Sequence, residues 1–277
     1  MKTIRFFLND IWAALMMFTR LPWWRLHQPQ EEHFRNVTTV WPLTGWLTGG
    51  VMALVFYAGI MFLPLPIAIL LTILSRILLT GALHEDGLAD FLDGMGGGKD
   101  KESILSIMKD SHIGTYGVLG LIIYLAFFFF GLQELTSKFL RESLMPESTC
   151  RNPLLMICMA MLFMDVWAKN LASMIVFQLP YARKEEEAKT HLVYKKNWGK
   201  QLLVCLLSLL PFIIIWSLTG CLPINNCLII FVPIVVQTLL VWWMRERIGG
   251  YTGDCCGALF LLTEASTLFA WIIMIKG

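Results

Sequence analysis

Long apolar runs alternate along this chain with short polar stretches. Val40–Phe62, Leu65–Leu83, Thr115–Gln133, Pro153–Phe177, Gln201–Thr219, Asn225–Met244 and Cys255–Ile275 are each predicted to be a helix that crosses a membrane. Each is near the roughly 20 residues that span a hydrocarbon core. Residues 1–20 follow another pattern: Lys2 and Arg5 accompany Ile4, Phe7, Leu8, Ile11, Leu15 and Phe18, interrupted by Asn9 and Asp10, and no small-residue cleavage site follows. This predicts an amphipathic helix lying in the interface rather than a signal peptide. Thr19-Arg20-Leu21-Pro22-Trp23-Trp24 ends it with tryptophans suited to headgroup depth. The expected fold class is all-α: a polytopic transmembrane helical bundle of about seven spans. It forms a single integral-membrane domain over 1–277, with 1–39 as the interfacial segment.

Composition agrees. The 277 residues are 57% hydrophobic and only 15% charged, where a soluble domain is nearer 25% charged. Gly45 and Gly49 have the G-x-x-x-G spacing that lets helices pack closely, as do Gly253 and Gly257. Arg76, Asp165, Lys169 and Glu264 fall inside spans and are expected to face the bundle interior. Asp165 and Lys169, at i, i+4, are a natural pair; for Arg76 and Glu264, pairing and substrate contact stay equally open. The seven cysteines show no C-x-x-C pair and no zinc-like spacing. Net charge of +2 says little, but its distribution says more. One side of the bundle collects the Lys and Arg of 2–35, 99–109, 183–200 and 245–247, and the other only Lys138, Arg141, Arg151 and Lys276. The positive-inside rule then places the N-terminus and the 84–114, 178–200 and 245–254 loops in the cytoplasm.

The chemistry concentrates in 84–114. Asp86, Asp90 and Asp93 sit at i, i+4 and i+7, one face of a helix. A carboxylate triplet is commonly just a solvated face, but at the mouth of a span charges tend to be functional. Three like charges on one face call for a divalent cation, and Mg²⁺ takes carboxylate oxygens while keeping sites for phosphates. Gly94, Gly96, Gly97 and Gly98 follow, then Asp100 as the N-cap of a short amphipathic helix. A glycine run feeding a helix N-terminus is a place for anions. Lys109, Asp110, Ser111 and His112 close the loop, and His84 and His112 are each either general bases or hydrogen-bonded spacers. In the later loops Arg183 is the phosphate candidate, while Lys184 and Lys189 read as a solvated run with Glu185, Glu186 and Glu187. Arg245, Arg247, the Gly249-Gly250 pair, Thr252, Gly253 and Asp254 resemble an anion- and metal-binding turn. For Asp254 the plain alternative is a carboxylate at a helix N-terminus. The catalytic candidates are Asp86, Asp90, Asp93 and His84. Gly97, Gly98, Lys109, Ser111, His112, Arg183, Arg247 and Thr252 are candidates for substrate phosphate, and Asp86, Asp90, Asp93, Asp110 and Asp254 for metal. Such a set suggests phosphoryl or nucleotidyl transfer on a membrane-associated substrate.

The runs His84–Asp90, Asp93-Gly94, Gly97-Gly98, Met108–Ser111 and Ile113–Gly117 resemble the cobalamin synthase (adenosylcobinamide-GDP ribazoletransferase) family. Phe18–Pro22, Trp41–Gly45, Pro180–Arg183 and Gly250–Ala258 extend the likeness in order along the chain. The resemblance implies a Mg²⁺-dependent, multi-pass inner-membrane enzyme. It joins adenosylcobinamide-GDP to α-ribazole or its 5′-phosphate, giving adenosylcobalamin or its 5′-phosphate and GMP. It implies membrane lipid as surroundings, no nucleic-acid partner, and association with itself or with other enzymes of the pathway. Glu85 and His112 depart from the residues commonest in the family, and a Ser-Arg often found in the fourth span is absent, with Lys169-Asn170 nearby. Going by analogy with membrane CDP-alcohol phosphotransferases, Asp93 is a candidate base. An enzyme of that type is the first alternative, but its D-x-x-D-G-x-x-A-R signature meets Ala89-Asp90 here. The second is a small-solute transporter, which predicts an internal repeat that the sequence lacks.

Overall fold

The computed structural model describes residues 2–144, 152–183, 194–219 and 227–275. Twelve α-helices follow one another in the described residues: α1 Lys2–Phe18, α2 Glu31–Phe34, α3 Val37–Phe62, α4 Leu65–Thr80, α5 Leu83–Gly97, α6 Lys101–Ile107, α7 Thr115–Ser143, α8 Pro153–Ser173, α9 Ile175–Gln178, α10 Trp198–Thr219, α11 Leu228–Ile248 and α12 Gly253–Met274. No strand occurs among the described residues beyond a single bridge between Tyr181 and Tyr251. Six segments are long and apolar enough to cross a membrane: α3, α7, α8 with α9, α10, α11 and α12. The count reaches seven if α4 and α5, bent by 88° at their junction, form one span. The all-α polytopic bundle is therefore as the apolar runs predict, with boundaries shifted by a few residues and α7 continuing to Ser143.

The second run is where pattern and structure part. Leu65–Leu83 is not one straight helix: α4 stops at Thr80, and α5 starts at Leu83 in a new direction. Gly81 (φ 66°) and Ala82 (φ 57°) both adopt the left-handed conformation, which halts the hydrogen-bond ladder and redirects the chain. Arg20 lies against this elbow. Its amide donates to the Leu79 carbonyl at 2.7 Å, and a β-carbon on Gly81 would lie 2.1 Å from Arg20 Nε.

Buried α8 is the centre of the bundle, with α3, α10 and α12 around it. The Gly45–Gly49 spacing works as expected: β-carbons there would come within about 3 Å of Asp165, Val166 and Leu162 of α8. Asp165 and Lys169 pair as expected, and Thr48 of α3 donates to Asp165 at 2.8 Å. Arg76 and Glu264 also pair, at 2.5 Å, with Tyr124 Oη donating to Glu264 at 2.9 Å. Their open question resolves to structural pairing, which ties α4, α7 and α12 together. Helix α1 packs on α3 through Ala13 and Ala14 while Ile4 and Leu8 stay exposed. Its Asp10 is buried and receives Lys200, His33 and Asn36.

Candidate active site

The elbow sets the direction of α5, and small residues set its depth. Gly87 lies against α12, where a β-carbon would come within 3.2 Å of the Asp254 backbone; a β-carbon on Gly257 would lie 3.1 Å from the His84 carbonyl. A β-carbon at either position would force the facing backbone back by a few tenths of an ångström, so the glycines let the first turns of α5 and α12 meet closely. Asp86 stands exposed on α5, with no side-chain partner among the described residues. Asp254 lies in the first turn of α12, where a carboxylate suits the helix dipole. Thr252 caps that turn, its hydroxyl accepting from the Cys255 amide at 3.3 Å.

A third strand of chain is clamped beside them. The Ala182 amide donates to Tyr251 O at 2.9 Å, and the Tyr251 amide to Pro180 O at 3.0 Å. The two tyrosine rings meet edge to face at 5.5 Å. Burial raises the pKa of the Tyr181 hydroxyl and the Arg183 guanidinium opposes it; burial also raises Tyr251. Both phenols therefore stay protonated. The clamp carries Arg183 to the same place. Its Nη2 donates to Leu105 O at 3.1 Å, one of the five N–H donors of a guanidinium.

Asp86, Asp254 and Arg183 thus line one cleft, with Gly87, Gly253, Tyr181 and Tyr194. The cleft encloses about 1000 Å³, counting the space that opens outward. Its other wall is Met17 and Phe18 of α1, Thr38 and Trp41 of α3, and Leu83 and His84 of α5. Each of the three loops thus sends part of its polar motif here: Asp86 from the first, Arg183 from the second and Asp254 from the third.

Other candidates lie elsewhere. Asp90 is half-buried one turn beyond Asp86 on the same helix face. Asp93 is buried, and its two oxygens accept from the amides of Gly114 (2.7 Å) and Gly117 (2.8 Å). It caps the N-terminus of α7 instead of lining the cleft. Gly98 packs on Ile104, its carbonyl accepts from Arg247 Nη2 at 2.7 Å, and Gly97 is exposed. Those glycines and Arg247 thus build the α5–α6 turn. Lys109, Asp110, Ser111 and His112 are exposed and do not line the cleft. Asp110 receives the His112 ring at 2.7 Å and its amide at 3.0 Å, bonds that hold the Asp110 carboxyl below its usual range. Asp100 caps α6 as expected, in a reciprocal box with Ser103. Gly257 packs as expected, whereas Gly253 has nothing within 4 Å and opens on the cleft. Lys184, Lys189 and Glu185–Glu187 lie outside the described residues. Phe18, Thr38, Trp41 and Tyr194 had no functional role in the sequence reading.

No three His, Cys, Asp or Glu side chains converge as a metal cage among the described residues. The charged side chains that line the cleft are the carboxylates of Asp86 on α5 and Asp254 on α12 and the guanidinium of Arg183; were a cation of the Mg²⁺ type to bind here, those two carboxylates would be its protein ligands, with water and substrate phosphates completing its shell.

The family model described as Cobalamin-5-phosphate synthase matches residues 10–272. The chain belongs to the cobalamin-5-phosphate synthase family. Among its curated relatives is the adenosylcobinamide-GDP ribazoletransferase of Shewanella amazonensis, 34% identical over 95% of both chains. Enzymes of the same name from Leptothrix cholodnii and Vibrio parahaemolyticus are 33% and 32% identical. They cover 94% and 95% of this chain and 93% and 91% of their own. No solved structure matches. In this member of the cobalamin-5-phosphate synthase family, the stretches that carry the resemblance gather at the cleft and its supports. Phe18, Trp41, His84, Asp86, Tyr181, Arg183 and Asp254 line it, Arg20 braces the elbow, and Asp93 caps α7.

Proposed function

We propose that the protein joins adenosylcobinamide-GDP to α-ribazole or its 5′-phosphate, releasing GMP and giving adenosylcobalamin or its 5′-phosphate. The observation that carries this reading is the meeting of Asp86, Asp254 and Arg183 in one cleft, across the Gly87–Gly257 contact. In the reaction, a ribose hydroxyl oxygen forms a bond to the phosphorus that bears the cobinamide arm. The bond from that phosphorus to the GMP oxygen breaks, and the hydroxyl gives up its proton. Arg183 grips non-bridging phosphate oxygens and orients the diphosphate. Asp86 and Asp254, with Asp90 one turn on, would hold Mg²⁺, which would supply positive charge against the diphosphate. Gly253, with nothing within 4 Å of where a β-carbon would stand, leaves room for the substrate to approach the backbone. The wall of α1 and α3 keeps water from one side.

The setting follows from the same reading. The chain is one catalytic domain in the cytoplasmic inner membrane, with the cleft opening to the cytoplasm. The excess of Lys and Arg on the loops that meet there supports that orientation. Self-association, or assembly with enzymes handling the same amphiphilic intermediate, fits a product that stays near the bilayer.

The test is GMP release by purified membranes given adenosylcobinamide-GDP and α-ribazole, with Mg²⁺ or with chelator. Mg²⁺-dependent release is expected. Well-folded membranes that release none would overturn the reading, and release unaffected by chelator would remove the metal from it.

A further inference from the structure

The elbow between α4 and α5 is covered by Arg20, which does not line the cleft. The Arg20 amide is tied to Leu79 O at 2.7 Å, and its Cγ, Cδ and Nε lie flat against Gly81. The turn that carries it is held on both sides. The Thr19 amide donates to Leu15 O at 3.1 Å, Trp23 Nε1 donates to Thr19 Oγ1 at 2.9 Å, and Trp12 Nε1 donates to Trp23 O at 3.3 Å. With its stem fixed in this way, Arg20 stays exposed, and its guanidinium has no acceptor among the described residues. Five N–H donors are thus presented in a set direction.

The surface around that cation is apolar and carries no opposing charge. Ile67, Leu70, Leu71, Leu74 and Leu78 are exposed along one face of α4, which ends at the elbow. Leu21, Trp24 and Leu26 are exposed in the turn after Arg20, a set suited to headgroup depth. Residues 11–30 and α4 contain no Asp or Glu. Arg25, exposed in the same turn, adds a second positive charge, whereas the arginine of α4 itself, Arg76, is buried. A cation at the end of a leucine face fits a molecule with an anionic head and a long apolar body. A free phosphate would use the guanidinium alone, whereas an anionic lipid uses both features. The leaflet on the side of the Lys- and Arg-rich loops is the one that carries such lipids.

We propose that the α4–α5 elbow is a binding site for an anionic glycerophospholipid, its phosphate on the Arg20 guanidinium and an acyl chain along the exposed leucines of α4. Guanidinium and phosphate pair in a bidentate, charge-assisted way. The same elbow sets the direction of α5 and so the place of Asp86, and a lipid bound there steadies the cleft from outside. That last link rests on the proposed reaction; the lipid site itself does not.

The experiment compares the full chain in nanodiscs of phosphatidylcholine alone and of phosphatidylcholine with phosphatidylglycerol. Labelled phosphatidylglycerol should be retained about fivefold over labelled phosphatidylcholine, the worth of one arginine at an anionic surface. The melting temperature should be higher by roughly 2–4 °C in the phosphatidylglycerol discs. Both preferences should vanish in Arg20→Gln and return in Arg20→Lys. Leu21→Glu, which sets a carboxylate next to Arg20 in the chain, should also abolish them and serves if Arg20→Gln does not fold. A parent without either preference, or an Arg20→Gln that keeps them, overturns the proposal. So does a melt that Arg20→Gln lowers equally in both discs, which would leave Arg20 as a partner of the α4 C-terminus only. Glycerol 3-phosphate that raises the melt as far as phosphatidylglycerol does would assign the guanidinium to a free anion and overturn the lipid. Turnover per folded molecule should be higher in the phosphatidylglycerol discs, and Arg20→Gln should lose that difference. Turnover indifferent to lipid while retention persists would overturn the link to α5. Retention without GMP release in either disc would leave the site standing and sink the reaction instead.

Discussion

Two sets of charges sit in this apolar chain, and they behave in opposite ways. In the bundle interior, Arg76 pairs with Glu264, and Tyr124 bonds to both. Lys169 pairs with Asp165, and Thr48 bonds to both. The ring of Phe260 stands between the two cations, 5.5 Å from Arg76 Cζ and 4.7 Å from Lys169 Nζ. Each set closes on itself and pins helices distant in sequence. At the cleft, by contrast, Asp86 stands on the first turn of a helix that meets α12 through glycine, and it turns outward. A charge deep in the bundle survives only if its neighbours neutralise it, whereas one at the edge of the bundle can wait for a ligand. Intramembrane charge is therefore a poor marker of the site in this protein, and charge at a glycine-packed helix end is a good one.

The sharpest way to break that contrast is to remove one member of the buried pair. Glu264→Ala strands Arg76 and is expected to cost about 3–5 kcal/mol of stability. The double variant Arg76→Met with Glu264→Leu should recover most of the loss, because no charge is left unpaired. Thermal melts in one detergent, with turnover per folded molecule, check this. A double variant no more stable than the single one would mean that the pair is not mutually neutralising.

Asp86→Asn should do the reverse. An exposed side chain without a partner contributes little to folding, so the melt should hardly move. Turnover should fall by about two to three orders of magnitude, corresponding to the several kcal/mol that a cation supplies to phosphoryl transfer. Turnover that survives the substitution would take Asp86 out of the metal set.

The sequence made the first kind of charge visible but not its partner. Arg76 and Glu264 are 188 residues apart, and no spacing rule connects them. The apolar runs, by contrast, announce their helices directly, because length and composition decide whether a segment can cross lipid. The elbow stayed hidden because the run from Leu65 continues through it to Leu83, and an alanine in the left-handed region leaves no compositional trace. Within the site, the i, i+4, i+7 pattern rightly put Asp86, Asp90 and Asp93 on one helix but could not say what each would meet. Asp86 met the cleft and Asp93 met the start of α7. The aromatic wall was present in the Phe18–Pro22 and Trp41–Gly45 stretches. Nothing about an isolated aromatic residue distinguishes a cleft wall from a core.

Asp93→Ala tests that division among the carboxylates. Loss of a helix cap costs about 0.5–2 kcal/mol, and two amides of α7 would be released here, so a loss near 2 kcal/mol is expected. Turnover per folded molecule should fall less than in Asp86→Asn. An undiminished melt together with a turnover loss as deep as that of Asp86→Asn would return Asp93 to the metal set.

The smallest effect belongs to Asp110 and His112, which the sequence grouped with the site and the structure leaves exposed. Hydrogen bonds from the His112 ring and amide lower the folded pKa of Asp110. A carboxyl depressed in this way contributes stability that is present above its unfolded value, about 3.9. That contribution is lost as pH falls through the lower folded value. The difference in melting temperature between Asp110→Asn and the parent should therefore stay constant from pH 5 to 8, and shrink only in acid, below about pH 4. Because the pair stands outside the cleft, His112→Gln should keep turnover within about twofold at neutral pH. A large turnover loss in His112→Gln would show that the 108–114 turn closes onto the substrate. It would also blur the line between charges that wait for a ligand and charges that merely meet water.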